Sequence, residues 1–290
     1  MVLPAIIAAC EWNLTSPTPF SRSGHRDAAV LVGAGDIAVC GSAGTEATAR
    51  LLDGLSGSVF TAGDNAYPSG TTEQLRDCYD PTWGRHKART RPSPGNHDYE
   101  AAGAAPYFEY FGINAGPPGA GYYRYRLGEW QVYSLNSNMS MAAGSPQLQW
   151  LERELSANSS TCTLAYWHHP LFSSGPNGEN PFTRSVWRVL YDFDADVVIA
   201  AHEHYYERFA PQDPDGRRDS ARGIRQFIVG TGGANLTFPL RLLPNSEMHW
   251  SNHGVLQLAL GADSYQWVFY TASGAAADAG SSMCHRSIPN

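Results

Sequence analysis

GSVFTAGDNAY, from Gly57 to Tyr67, begins as a short apolar run and stops at a Gly-Asp pair. Gly57 to Ala62 is too short for a helix and reads as a buried strand that empties into a loop at Gly63-Asp64. Upstream, Ala28 to Gly35 (AAVLVGAG) does the same before Asp36. Between the two, Thr45 to Leu55 carries apolar residues at helical spacing, so the segment is a strand, helix, strand unit. Both acids then lie beyond the C-terminal ends of strands, where open α/β sheets place their sites.

The same punctuation recurs along the chain. Thr90 to Pro94 leads into Gly95-Asn96-His97-Asp98, Thr163 to Trp167 ends at His168, and Asp196 to Ala201 ends at His202. Tyr122 to Leu127 and Trp130 to Leu135 flank Gly128-Glu129 as a hairpin with a two-residue turn. Ser145-Pro146 opens a helix, with Ser as N-cap, Pro at the first helical position and Leu148, Leu151 and Leu155 on one face. Glu73 to Tyr79 and Phe182 to Phe193 are further helices. Ile224 to Val229, Val255 to Leu260 and Tyr265 to Tyr270 finish the chain as β structure. No internal repeat is present. An α/β fold with a two-sheet core and flanking helices is the expected architecture.

Composition narrows the function classes. With 290 residues, 42% hydrophobic and 12% aromatic, the chain can bury one large layered core, and no apolar run is long enough to span a bilayer. The formal net charge is −7 and no Lys/Arg cluster forms a stripe, which argues against a nucleic-acid partner and for a small phosphorylated one held by cations. Met1 to Cys10 is apolar and ends in Ile7-Ala8-Ala9-Cys10, which looks like the end of a bacterial lipoprotein signal without its basic start. Glu11 to Arg26 reads as a linker. The expected division is residues 1–27 as signal remnant and linker and 28–290 as one catalytic domain. Export follows as the expected fate: secreted, periplasmic, or lipid-anchored through Cys10 outside a bacterial cell. Cys40, Cys78, Cys162 and Cys284 permit two disulfides in three pairings; Cys40 with Cys78 and Cys162 with Cys284 is the preferred one. None of the cysteines has the spacing of a thiolate metal site. The sequons at Asn13, Asn138, Asn158 and Asn235 matter only in a eukaryotic secretory host.

Five short segments remain: GAGDIA with Asp36, AGDNAY with Asp64 and Tyr67, PGNHD with Asn96, YWHHP with His168, and AHEHYYER with His202 and His204. In this order they resemble the motif set of the calcineurin-like metallophosphoesterases, specifically the purple acid phosphatase branch in its compact bacterial form. GDNAY, GNHD and HEHYYER are the most specific stretches, and the resemblance spans about Val30 to Gly233. It implies a four-layer α/β/β/α sandwich with two mixed sheets flanked by helices. It also implies a phosphoric ester hydrolase that attacks with a metal-bound hydroxide. Two cations roughly 3.5–4 Å apart can activate water and stabilise in-line displacement at phosphorus.

By the resemblance, Asp64 bridges the metals. Asp36, Asp64, Tyr67 and His204 would hold one ion, and Asp64, Asn96, His168 and His202 the other. Where many members have Asp-x-His, this chain has Asp36-Ile37-Ala38, and Tyr67 stands where the purple acid phosphatase branch places a phenolate. A hard anionic phenolate favours Fe(III), leaving Zn, Mn or Fe as the divalent partner. Family analogy places His97 near the substrate, protonating the leaving oxygen or stabilising phosphoryl charge, with Asp98 orienting its ring. His169 stands where the family often has a non-ligand and is a candidate for supporting the ligands from behind. The loop Leu171 to Asn180 lacks the further histidines of larger relatives, and Ala201 replaces the glycine that usually precedes the His-x-His pair. Taken singly, each motif reads as an ordinary turn or a packed core pair. Arg208 is expected to brace its loop through ion pairs, His249 and His253 to sit in exposed loops, and Trp83, Trp150 and Trp187 to be core. The rival readings are a phosphodiesterase with the same metals and a catalytically silent metal- or phosphate-binding module.

Overall fold

A computed structural model of the chain describes residues 28–157 and 160–285. Cys10, the sequons at Asn13 and Asn158, and the expected signal and linker lie outside the described residues. No helix among those described is long and apolar enough to cross a membrane.

Two mixed β-sheets form the centre. In the first, β1 (Ala29–Ala34), β2 (Ser58–Ala62) and β3 (Thr90–Ser93) run parallel, and β11 (Gly254–Leu260), β12 (Ser264–Thr271) and β13 (Ala276–Met283) add antiparallel, giving the order β13-β12-β11-β1-β2-β3. The second contains β4 (Tyr123–Leu127), β5 (Trp130–Ser134), β6 (Cys162–Tyr166), β7 (Val197–Ala200), β8 (Tyr206–Phe209), β9 (Arg225–Val229) and β10 (Ser246–Trp250), in the order β10-β8-β9-β7-β6-β5-β4.

Strand alternation decides what each sheet buries. On β6 and β7, Leu164, Tyr166, Val197 and Ile199 face the first sheet, where Leu31 and Phe60 meet them, the Phe60 ring 5.8 Å from that of Tyr166. Ala165 and Val198 face the other way, onto Leu148, Leu151 and Leu155 of α4 (Pro146–Ala157) and Val186, Trp187 and Leu190 of α5 (Arg184–Asp192). Helix α1 (Ala43–Gly54), capped by the Ser42 hydroxyl, packs Ala49 and Leu52 into the first-sheet cluster. The layers are therefore helix, sheet, sheet, helix, as expected.

Elements with strong local signals fall within a residue or two of their expected bounds, including the Gly128-Glu129 hairpin and the Ser145 cap, whose hydroxyl accepts from Leu148 N–H at 3.3 Å. The segment after Thr71 differs: a one-turn α2 (Thr72–Gln74) with a reciprocal Thr71–Gln74 capping box runs into a π-helical turn, Leu75–Tyr79. Helix α3 (Ala105–Phe111) and strands β8, β10 and β13 were not anticipated. The pairings Cys40–Cys78 and Cys162–Cys284 both form. Arg208 braces as expected, bonding Asp278 of β13 at 2.7 Å and pairing with Glu247 of β10. His249 is exposed but belongs to β10, and His253 is partly buried, its Nε2 at 2.9 Å from the Ala234 carbonyl, so neither is the exposed loop residue expected.

Candidate metal centre

The loops that leave β1, β2, β3, β6 and β7 at their C-terminal ends, with the turn into β8, bring all seven candidate ligands together. Three of them, Asp36, Asp64 and His202, have positive φ (56°, 52° and 70°), a backbone region that non-glycine residues adopt only at a cost. His202-Glu203-His204 is thus a bent turn, but the two imidazoles still face the cluster while Glu203 turns into the interior.

Four of the side chains, those of Asp36, Asp64, His168 and His204, are fixed from behind. One oxygen of Asp36 accepts the His202 N–H at 2.8 Å, and one oxygen of Asp64 accepts the His97 N–H at 2.8 Å. The other oxygen of Asp36 lies 2.6 Å from the Tyr67 hydroxyl and 3.3 Å from His204 Nε2. The other oxygen of Asp64 lies 3.0 Å from the Tyr67 hydroxyl and 3.2 Å from His168 Nε2. His168 donates Nδ1–H to the Ala62 carbonyl at 2.9 Å and His204 donates Nδ1–H to the Asn235 carbonyl at 2.7 Å, so both present Nε2 inward. Asn96 Oδ1 is 3.0 Å from His168 Nε2, and His202 Nδ1 is 3.2 Å from the same nitrogen.

Glycine permits this closeness. A Cβ on Gly95 would stand 2.1 Å from Asp64 Oδ1. The unusual Ala201 is accommodated because its methyl lies over Gly35, where a second Cβ would come within 2.4 Å.

The donor set fits cations. Asp36 and Asp64 are 0% and 1% exposed, and no Lys or Arg is a hydrogen-bond or ion-pair partner of the cluster among the described residues. Two buried carboxylates without a positive partner need compensating charge. Protons supply it in the chain by itself: burial opposes the charge, yet Asp64 raises His168 to about 9 and Asp36 raises His204 to about 9. Burial likewise opposes ionisation of Asp36, yet His204 holds it below the usual carboxylate range. Burial, reinforced by Asp36 and Asp64, pushes the Tyr67 phenol far up. Burial and the neighbouring His168 lower His202 to about 4, leaving a neutral imidazole.

The auxiliary residues divide. His97 sits at the mouth, one-third exposed, with Nδ1 on the Pro68 carbonyl and Nε2 3.9 Å from Asp64 Oδ2. Asp98 does not orient it: that carboxylate is fully buried and accepts from Gly95 N–H at 2.8 Å and from the Asn65 side chain at 2.9 Å. The expected role passes to the Pro68 carbonyl, because residues one apart on this turn point in different directions. Asp98 instead ties the loop after β2 to the loop after β3, and burial followed by Asp64 raises it to about 7. His169 is held by the Ser137 hydroxyl at 2.8 Å and packs its ring 4.5 Å from that of His202. Burial, then His168 and His202, lowers it to about 2. The Ala62, Pro68 and Asn235 carbonyls are unforeseen contributors; any residue offers a carbonyl, so they leave no signal in sequence.

Residues 29–206 match the calcineurin-like phosphoesterase family. The chain belongs to that family. Its likeness lies with the purple acid phosphatase branch. Purple acid phosphatase 21 of Arabidopsis thaliana is 28% identical over 252 residues, 76% of this chain and 55% of that protein. An uncharacterized protein of Mycobacterium tuberculosis is 27% identical over 230 residues, 63% of this chain and 43% of that one. The purple acid phosphatase PPD1 from yellow lupin seeds shares the fold, with a TM-score of 0.78 at 19% identity over 93% of this chain and 55% of that chain. The chain spans about half the length of these relatives.

Proposed function

We propose that this metallophosphoesterase hydrolyses phosphate monoesters at a dinuclear centre. Asp36, Asp64, Tyr67 and His204 would hold Fe(III), and Asp64, Asn96, His168 and His202 a divalent Zn, Mn or Fe ion. One observation carries the dinuclear reading: a single oxygen of Asp64 faces both donor groups, 3.0 Å from Tyr67 and 3.2 Å from His168. A carboxylate can share itself between two ions; an imidazole cannot. When bound, the two ions would neutralise phosphoryl charge and activate water at neutral pH.

The chain's own residues then have separable tasks. Asp36 and Asp64 each spend one oxygen on a backbone N–H, which leaves the other aimed into the site. His97, its Nδ1 proton held by the Pro68 carbonyl, can present a second proton from Nε2 to a leaving oxygen. His169, pinned by Ser137, keeps the His202 ring from turning. The two disulfides suit an oxidising compartment, which supports export.

Kinetics on a phosphomonoester and a phosphodiester with the same alcohol, using protein reconstituted with iron and zinc, test the reading. The monoester is expected to be cleaved at least about tenfold faster in kcat/KM, a 1.4 kcal/mol difference in transition-state binding. Faster diester cleavage would make the protein a phosphodiesterase. Stoichiometric metal with neither ester cleaved would make it a silent binding module.

A further inference from the structure

The metal centre would hold the phosphoryl group, but nothing in it recognises the alcohol. The segments that flank it carry several exposed apolar side chains. The segment after β9 passes directly over His204: the Asn235 carbonyl takes the His204 Nδ1 proton at 2.7 Å and Thr237 N–H donates to the His204 carbonyl at 2.9 Å. It is then pinned to the loop after β6, with Leu240 N–H on the Ser174 carbonyl at 2.8 Å and Leu243 N–H on the Ser174 hydroxyl at 3.0 Å. Leu243 packs into the core formed with α4 and α5. A segment fixed at these points nevertheless leaves Phe238 69%, Leu240 76% and Leu242 49% exposed. Phe182 is 48% exposed, and its ring lies edge-on 5.5 Å from that of His169, which in turn lies against His202.

Exposed leucine by itself is unremarkable on a protein surface. Here Phe182 stands against His169, which packs on the candidate ligand His202, and Phe238, Leu240 and Leu242 follow the residues bonded to His204 on a segment whose backbone is tied down, so they form a preorganised exposed surface close to the centre. Arg241 is the one cation in the segment, and among the described residues the cluster itself is bonded to no Lys or Arg. A hydrocarbon portion laid against these side chains would lose water-exposed area on binding.

We infer that the segment from Asn235 to Leu243, with Phe182, determines specificity for the alcohol portion of the substrate, and that this portion is apolar, an alkyl or aryl group. The inference rests on the phosphomonoesterase reading above. The probe is a series of soluble monoalkyl phosphates from ethyl to hexyl, in which the leaving-group chemistry hardly changes and only apolar surface grows. Full burial of a methylene is worth about fourfold in binding, so partial burial is expected to raise kcat/KM about twofold for each carbon added. In the double variant Phe238→Ser, Leu240→Ser, and separately in Phe182→Ser, that slope is expected to flatten while metal content stays at the wild-type value. A flat slope in the wild type, or an undiminished slope in both variants, overturns the inference. Failure to cleave any member of the series, with metals bound, overturns the phosphomonoesterase reading instead.

Discussion

Asp36, Asp64 and His202 hold positive φ, and all three are candidate ligands at the ends of strands. Strain concentrated where side chains must converge is consistent with a site built for a cation rather than for stability. Two predictions belong at this scale. His168 and His204, each raised to about 9 by the carboxylates, carry protons that a metal must displace. Because those protons are bound below pH 9 and released on metal binding, apparent metal affinity is expected to climb with pH between about 6 and 9, by as much as tenfold per unit for each proton released. Competitive titration with a chelator across that range checks it; a flat profile would mean that the imidazoles are neutral or that they do not bind the metal. His97→Ala is expected to keep its metals and lose about 10²–10⁴-fold in kcat, as for removal of a general acid. Loss of metal in that variant would make His97 a ligand. Tyr67→Phe separates the iron assignment from the rest: a broad visible absorption band is expected in the reconstituted protein and should vanish in the variant. Survival of both colour and metal content would remove Tyr67 from the centre.

At the scale of elements, the site depends on how closely five loops approach, and Gly35 beneath Ala201 shows this best. A Cβ on Gly35 would meet the Ala201 methyl at 2.4 Å and the Ala62 carbonyl at 2.9 Å. Gly35→Ala is therefore expected to destabilise by about 1–3 kcal/mol and to displace Asp36, and adding Ala201→Gly should recover part of the loss. Strict additivity in denaturant melts of the two singles and the double would show that the contact is not shared. Much of this layer was legible in the chain. Apolar runs stopping at Gly-Asp or His announced β1, β2, β6 and β7, because a parallel strand buried on both faces has to be apolar throughout, whereas β3, Thr-Arg-Pro-Ser at the edge of its sheet, is marked only by the Gly-Asn-His-Asp that follows it. By contrast β13, Ala-Ala-Asp-Ala-Gly-Ser-Ser-Met, has no β-branched residue; it is a strand because β12 offers a free edge and Trp267 covers Gly280. Asp98 was misread for a related reason: adjacency to His97 in sequence says nothing of direction on a turn.

At the scale of the molecule, the tail returns to the second sheet through Cys162–Cys284, and the buried Asp196 beside it accepts from Thr163 N–H at 2.8 Å and His285 N–H at 2.6 Å. Burial raises that carboxyl to about 7. The folded state then holds a proton that the unfolded chain gives up near pH 4, so this group's contribution to stability is full below about pH 4 and declines as pH rises towards 7, by at most about 1.4 kcal/mol per unit. Asp196→Asn should remove that decline, and subtracting the two stability profiles between pH 4 and 7 checks it; parallel profiles would mean that the carboxylate is charged throughout. The candidate ligand set was legible because five motifs stand in a fixed order, whereas the proposed apolar rim was not, since Phe238, Leu240 and Phe182 belong to segments that only the fold brings near the histidines. The proposed chemistry turns on two ions sharing Asp64. The direct test is elemental analysis of protein reconstituted with iron and zinc, run beside Asp64→Asn. The wild type should bind about two metal equivalents per chain with turnover tracking occupancy, and the variant about one or none. A wild type that saturates at or below one equivalent, or an Asp64→Asn variant that keeps both metals and full turnover, would contradict the dinuclear centre.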